Sequence, residues 1–147
     1  MLEIREVDFS SLRYQTIVDL RRRVLRAPLG LDFTAEQLKA EQSDIHIGCY
    51  LDGALVGCVV LTPDNSPGEA KLTLRQMVVD PEHRGHNIGR EILHFAETLA
   101  RSRGYRQITF HARESALRFY QKAGYAAYGE GFIEVTIPHW KMTKRLG

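Results

Sequence analysis

The stretch from Leu74 to Ala100, LRQMVVDPEHRGHNIGREILHFAETLA, leaves this chain few ways to fold. Its apolar run Met77-Val78-Val79 is rich in β-branched residues and is stopped by Asp80-Pro81, so it reads as the end of a buried strand. A short loop follows, Glu82-His83-Arg84-Gly85-His86-Asn87, with one glycine and a candidate helix cap in Asn87. Ile88, Ile92, Phe95, Ala96 and Leu99 then recur at helical spacing and give one apolar face to lie on a sheet. Strand, basic glycine loop and helix in that order aim backbone N–H groups and the positive end of a helix dipole at one point. Such a point is an anion site whose usual occupant is a pyrophosphate, and Arg84 and Arg90 add charge beside it. Taken alone, the loop is more often an ordinary strand-to-helix junction; the rest of the chain has to decide.

Elsewhere the patterns alternate between strand and helix. Leu2 to Val7 alternates apolar and charged residues and reads as a first strand. Asp8 and Ser10 are helix-start residues, and Tyr14, Ile17, Val18, Val24 and Leu25 follow at helical spacing until Pro28 and Gly30. The other face of that helix carries Arg21, Arg22, Arg23 and Arg26, which reads as a solvated face. Thr34 to Ala40 forms a short second helix capped by Thr34. Ile45–Tyr50 and Leu55–Leu61 flank Asp52-Gly53, a strong hairpin signal, and Lys71 to Val79 is a long strand. After the central helix, ended by Gly104, Gln107 to Phe110 is another strand. Ala116, Phe119, Tyr120 and Ala123 mark a short helix closed by Gly124. Tyr125–Tyr128 and Phe132–Ile137 read as a closing strand pair around Gly129-Glu130-Gly131, and Met142 to Gly147 as a polar end. Within Phe132–Ile137, alternation puts Glu134 on a mixed face with Phe132 and Thr136. Ile133, Val135 and Ile137 fall on the greasy face suited to core. The result is a single α/β domain spanning residues 1–147, with a mixed sheet and a strand–helix–strand crossover in its second half.

Composition narrows the function classes. The net charge of +2, from 20 basic and 18 acidic side chains, is too balanced to argue for nucleic acid or membrane. No run approaches a membrane span, and the N-terminus has no signal-peptide pattern, so a cytoplasmic setting is expected. Cys49 and Cys58 lack zinc spacing, sit in strand patterns away from any helix start, and read as small core residues.

Two longer strings carry a resemblance. MVVDPEHRGHNIGREIL resembles the cofactor motif of the GNAT superfamily of N-acetyltransferases, a Gln/Arg-x-x-Gly-x-Gly/Ala loop that holds the pyrophosphate of acetyl-CoA. Arg84 and Gly89 match its first and last positions, Gly85 is the frequent glycine after the arginine, and Asn87 stands where a middle glycine is usual. ALRFYQKAGY, Ala116 to Tyr125, resembles the A-x-x-F-Y-x-K-x-G-F/Y segment of the same family, whose tyrosine protonates the departing thiolate. The resemblance implies a mixed central sheet flanked by helices on both faces, with two central strands splayed to admit the pantetheine arm. It implies acetyl-CoA as co-substrate, no metal, and a cofactor site at Met77, Val78, Val79, Arg84, Gly85, His86, Asn87, Ile88, Gly89 and Arg90. Tyr120 would be the acid, and the backbone N–H near Val78 the oxyanion donor. Arg113, where the family often has an asparagine, becomes a phosphate candidate.

The general base is less constrained, with His111, Glu134 and His139 as candidates. FIEVTIPHWKM, Phe132 to Met142, resembles the F-x-E-x-G-I-P-H-x-x-M closing strand of a small bacterial GNAT subgroup, with Thr136 in the usual glycine position. That similarity points Glu134 and His139 toward the acceptor. The expected activity is transfer of an acetyl group to a primary amine of a small molecule or peptide by direct attack in a ternary complex. A homodimer is the candidate assembly. Two other readings stay open: a non-catalytic acyl-CoA-binding sensor or regulatory domain, and a nucleotide-binding module, which would call for a more glycine-rich loop.

Overall fold

Alternating residues at the N-terminus and the Asp52-Gly53 turn set the first half of the sheet. The computed structural model describes residues 1–147. Strand β1 (Leu2–Val7) lies antiparallel to β2 (Ile45–Leu51), with Leu2 opposite Leu51. Strand β2 turns into β3 (Ala54–Asp64) through Asp52 and Gly53, both at positive φ, as a tight hairpin requires. β4 (Lys71–Val79) runs antiparallel to β3. Helix α3 (Ile88–Ser102) then carries the chain over to β5 (Gln107–Arg113), which returns parallel to β4. The sheet closes with β7 (Ile137–Arg145) lying between β5 and β6 (Ala126–Glu134), in the order β1-β2-β3-β4-β5-β7-β6.

Helices cover both faces. On one, α3 and the short α4 (Leu117–Lys122) bury Ile92, Leu93, Ala96 and Tyr120 against Ile47, Leu61, Leu72, Ile108 and Met142. On the other, α1 (Leu12–Arg21) packs Tyr14, Ile17 and Val18 onto Val7, Cys58 and Val78, with α2 (Ala35–Lys39) beside it. Each fully buried Ile or Leu contributes about 1.5–3 kcal/mol of transfer free energy, so both layers are held chiefly by these faces. Cys49 and Cys58 are fully buried, and burial pushes their thiols up to about 11 and about 12. They are core residues.

The feature that shapes the site lies between β4 and β5. Their parallel pairing covers only Lys71↔Gln107 to Thr73↔Thr109. Further along, the β3–β4 register slips between Cys58↔Val78 and Val60↔Arg75, and Gln76 takes a positive φ of 54°. An extra residue of this kind bends and twists its strand. Beyond Thr73 no ladder joins β4 to β5, and the two part.

Four expectations are corrected. The closing hairpin turns at Val135-Thr136 rather than at Gly129–Gly131, because Glu134 pairs with Ile137. Gly129–Gly131 is instead a bulge between Tyr128↔Lys141 and Phe132↔His139, where a Cβ on Gly131 would stand 3.1 Å from the Trp140 ring. The supposed polar end is a paired strand: Met142 and Leu146 are buried because β7 has neighbours on both sides. Ile133 and Val135 are exposed, since β6 is an edge strand whose outer face no helix covers. Arg21 belongs to the interior, fully buried and forked onto Glu41 at 2.8 and 2.6 Å, with Tyr14 donating to the same carboxylate at 2.8 Å. A charge at that depth is tolerated only when paired, and its partner comes from 20 residues away.

Candidate active site

A cleft of about 1410 Å³ opens where β4 and β5 diverge. That exceeds the usual range for one small ligand, roughly 300–1,000 Å³, and leaves room for two molecules end to end. Strand alternation gives it two sides. Phe110 and Ala112 face α3 and α4, whereas Thr109 and His111 face the α1 side, as does His139, which pairs with Arg113.

The first side is built by the loop from Asp80 to Asn87 and the start of α3. Asp80 anchors it: its N–H donates to Val56 O at 2.8 Å, and its carboxylate accepts from the Glu82 N–H at 3.0 Å and from Arg23 at 3.3 Å. These contacts, the Glu82 N–H foremost, hold the Asp80 carboxyl below its ordinary range. Gly85 takes φ +88°, and nothing lies within 4 Å of where its Cβ would stand, so the backbone there is bare to the cleft. Asn87 occupies the cap position with a left-handed φ of 61°, but its side chain caps nothing. The first amide of α3 to find an acceptor in this turn is that of Glu91, on Asn87 O at 3.1 Å. The amides of Ile88, Gly89 and Arg90 therefore keep the free N–H groups of a helix start. Arg84 and Arg90 are exposed beside them, without a carboxylate partner. Bare glycine backbone, uncapped amides and two free guanidinium groups fit a pyrophosphate. Gly89 serves packing instead. A Cβ there would come within 3.1 Å of the Phe119 ring, so its absence lets α4 close over α3.

Tyr120 reaches the same cleft from α4, its ring packed edge-on against Phe110 (4.5 Å) and Phe119 (5.0 Å). Burial alone pushes its phenol up. Of the strand residues, Val78 is not the open donor. The Asp80 N–H bond to Val56 O and the Cys58↔Val78 register set the antiparallel alternation, which turns the Val78 N–H toward β3. The Val79 N–H points the other way, into the gap. The His86 side chain lines a smaller pocket with Leu2, Leu51, His83 and Ile88, the last two shared with the cleft.

The α1 side holds the carboxylate-histidine cluster. Glu134 Oε1 accepts from His111 Nδ1 at 3.0 Å, and Glu134 Oε2 faces His139 Nε2 at 3.6 Å. The His139 Nδ1 lies 2.7 Å from Ile137 O, and a carbonyl only accepts, so Nδ1 carries the proton. In the neutral ring Nε2 is then a bare lone pair facing a carboxylate oxygen. With the ring in that neutral form, Nε2 and Oε2, 3.6 Å apart, leave a slot for a donor. Phe132 packs against both rings, 4.8 Å from His111 and 5.9 Å from His139. Val24, Leu25, Arg26 and Leu29 wall this side, in the π- and 3₁₀-helical turns that extend α1. Arg113 shares the face of His111 and His139 by register, so its phosphate assignment loses its geometric support. The Arg21–Glu41 pair and the Asp80 contacts to Val56 and Arg23 carried no signal in the sequence, since these partners are distant along it.

Comparisons with known proteins follow the same lines. Residues 14–125 match the model of the acetyltransferase (GNAT) family. The chain is 30% identical over 120 residues to N-acetyltransferase family 8 member 2 of Rattus norvegicus, covering 71% of this chain and 53% of that protein. It is 33% identical over 86 residues to human N-acetyltransferase 8B, covering 55% and 38%. The chain thus spans about half or less of these relatives. Among solved structures, an aminoglycoside 6'-N-acetyltransferase complexed with coenzyme A superposes with TM-score 0.81 at 20% identity, covering 98% of this chain and 97% of that one. At such identity the likeness speaks for the fold. No helix here is long and apolar enough to cross a membrane.

Proposed function

The chain belongs to the GNAT acetyltransferase family, and from that premise we propose that it moves the acetyl group of acetyl-CoA to a primary amine by direct attack. The observation that carries this reading is the meeting, in one cleft, of an uncapped phosphate loop, a protonated phenol and a donor slot between Glu134 and His139. Solved relatives of the fold have been seen with coenzyme A, and Arabidopsis thaliana Naa50 with the bisubstrate analogue CoA-Ac-MVNAL. When bound, acetyl-CoA supplies an activated acyl carbonyl and a thiolate leaving group.

The residues of the chain then have separable roles. The loop amides from Gly85 to Arg90, with Arg84 and Arg90, bind the pyrophosphate. The splay exposes β4 backbone for the pantetheine amides, with Met77 and Val79 as partners. The Val79 N–H is the oxyanion donor, already oriented before reaction by its strand. Glu134 Oε2 and His139 Nε2 each accept one N–H of the incoming ammonium. Once that group is neutral, its lone pair is free to attack, and His139 Nε2 is the proton acceptor with a fixed tautomer. Tyr120 gives its proton to the departing sulfur, and its raised phenol keeps that proton throughout the neutral range. Buried, unreactive cysteines support direct transfer rather than an acyl-enzyme.

Initial rates with both substrates varied test the reading. Acetyl-CoA turnover, followed as free thiol across a panel of amines, should give intersecting double-reciprocal lines with the accepted amine. Parallel lines, with acetyl retained on the protein by intact mass, would contradict direct attack. Acetyl-CoA binding without thiol release on any amine would favour a non-catalytic sensor.

A further inference from the structure

The charges on the α1 side of the cleft constrain the acceptor further. Glu134 is the sole carboxylate lining the cleft, against Arg26, Arg75, Arg84, Arg90, Arg113 and Arg118. Arg84 and Arg90 stand at the phosphate loop and Arg118 on α4, where the cofactor's phosphates would neutralise them. Arg26, Arg75 and Arg113 belong to the other side. Leu72 and Leu74 face α3, so Arg75 faces the α1 side, and Thr73↔Thr109 places it across the opening splay from His111. Arg26 is held with its guanidinium 4.8 Å over the Phe33 ring, which fixes the group and leaves its N–H fork unpaired. Asp44 feels the Arg75 charge, yet no ion pair joins them. An ammonium seated on Glu134 cancels the only carboxylate charge lining the cleft, and the arginines opposite still lack an ion-pair partner.

We propose that the acceptor is a primary amine that also carries an anionic group, a carboxylate or a phosphate, with the ammonium on Glu134 and the anion on Arg26 and Arg75. This rests on the acetyl-transfer reading above. It sets polycationic acceptors aside, because a second ammonium would lie beside arginines, where like charges cost binding. An arginine fork suits either anion, and it suits them bidentately.

A matched set of acceptors separates the outcomes: pentylamine, 5-aminopentanoate, 4-aminobutyl phosphate and 1,5-diaminopentane. Thiol release from saturating acetyl-CoA gives kcat/KM for each. The two anionic amines should exceed pentylamine by about tenfold, the size of one charge-assisted hydrogen bond, with the diamine the poorest. The order of carboxylate and phosphate identifies the anion. Arg75→Gln and Arg26→Gln should each raise KM for the anionic amines several-fold more than for pentylamine. Arg75→Glu should move the preference toward the diamine. Equal or better use of pentylamine or the diamine by wild type would overturn the proposal, as would variants that lose pentylamine turnover as much as the anionic amines. No thiol release from any of the four, with acetyl-CoA bound, would instead contradict the acetyl-transfer reading itself.

Discussion

Tyr120 and Tyr125 lie with their rings 6.0 Å apart, and burial raises both phenols, but only one is free to give a proton. The Tyr125 hydroxyl donates to Glu97 at 2.9 Å, and Lys144 donates to the same carboxylate at 3.0 Å. Tyr120 faces the cleft instead. At the residue scale, then, Tyr120→Phe should lower turnover by about 10²-fold, the low end for a general acid, because a thiolate is already a fair leaving group. Tyr125→Phe should leave turnover intact and cost stability, which thermal melts and rates on the same samples would separate. Gly85 offers a second test. Its φ of +88° strains any side chain, and Gly85→Val adds a branched group against the phosphates, so acetyl-CoA affinity should fall in calorimetry while the protein stays folded. Wild-type affinity in a folded variant would remove this loop from the site. Thr136, at φ 61° in the hairpin turn, is the reverse case. A β-branched residue is strained there, and Thr136→Gly should raise Tm by about 1–2 °C once the entropic cost of glycine is subtracted. A lowered Tm would mean that the turn needs its threonine.

Among the elements, α1 has a double role that its pattern half concealed. Its apolar face was legible from Tyr14, Ile17 and Val18, but Arg21 sits in a run of arginines that looks solvated. Only the fold reveals Glu41 beneath it. Burial pushes the Glu41 carboxyl up, and the hydrogen bonds and charge of Arg21 outweigh that and hold it below its ordinary range. A carboxyl lowered in the folded state contributes stability that is fully present above its unfolded value and is lost as pH falls through the folded one. Arg21→Met removes the partner and leaves a buried carboxylate, so it should destabilise by about 3–5 kcal/mol near neutrality. Without Arg21, burial pushes the Glu41 carboxyl up, so the gap to wild type should narrow as pH falls through and below the ordinary carboxylate range. Denaturant melts at several pH values read this directly, and a gap that does not vary with pH would mean that packing, not charge, dominates. Because α1 continues into the turns bearing Val24, Leu25, Arg26 and Leu29, the same variant should also loosen the acceptor wall. The closing hairpin shows the opposite failure of pattern. A two-residue turn built from Val135 and Thr136 carries no glycine or asparagine, so Gly129-Glu130-Gly131 drew the turn in its place.

For the whole molecule, the first five strands and the loop before α3 were readable because local period and a contiguous motif encode them. The site residues from Met77 to Arg90, His86 apart, line one cleft for the same reason. The identity of the open backbone donor was not readable: it follows from a bulge at Gln76 and a ladder phase that only pairing defines. Likewise, Glu134 and His139 were visible as residues, but the shared acceptor slot needs His111, 23 positions away from Glu134, and the Val135-Thr136 turn. Everything proposed for this cleft requires that its two sides act in a single transfer. The most direct measurement is steady-state turnover of acetyl-CoA with the best acceptor, read as free thiol, for wild type, Tyr120→Phe and Glu134→Gln in parallel. Tyr120→Phe should lower kcat with the acceptor KM nearly unchanged, and Glu134→Gln should raise the acceptor KM while acetyl-CoA affinity holds. Wild-type kcat and KM in both variants would contradict a shared transfer site.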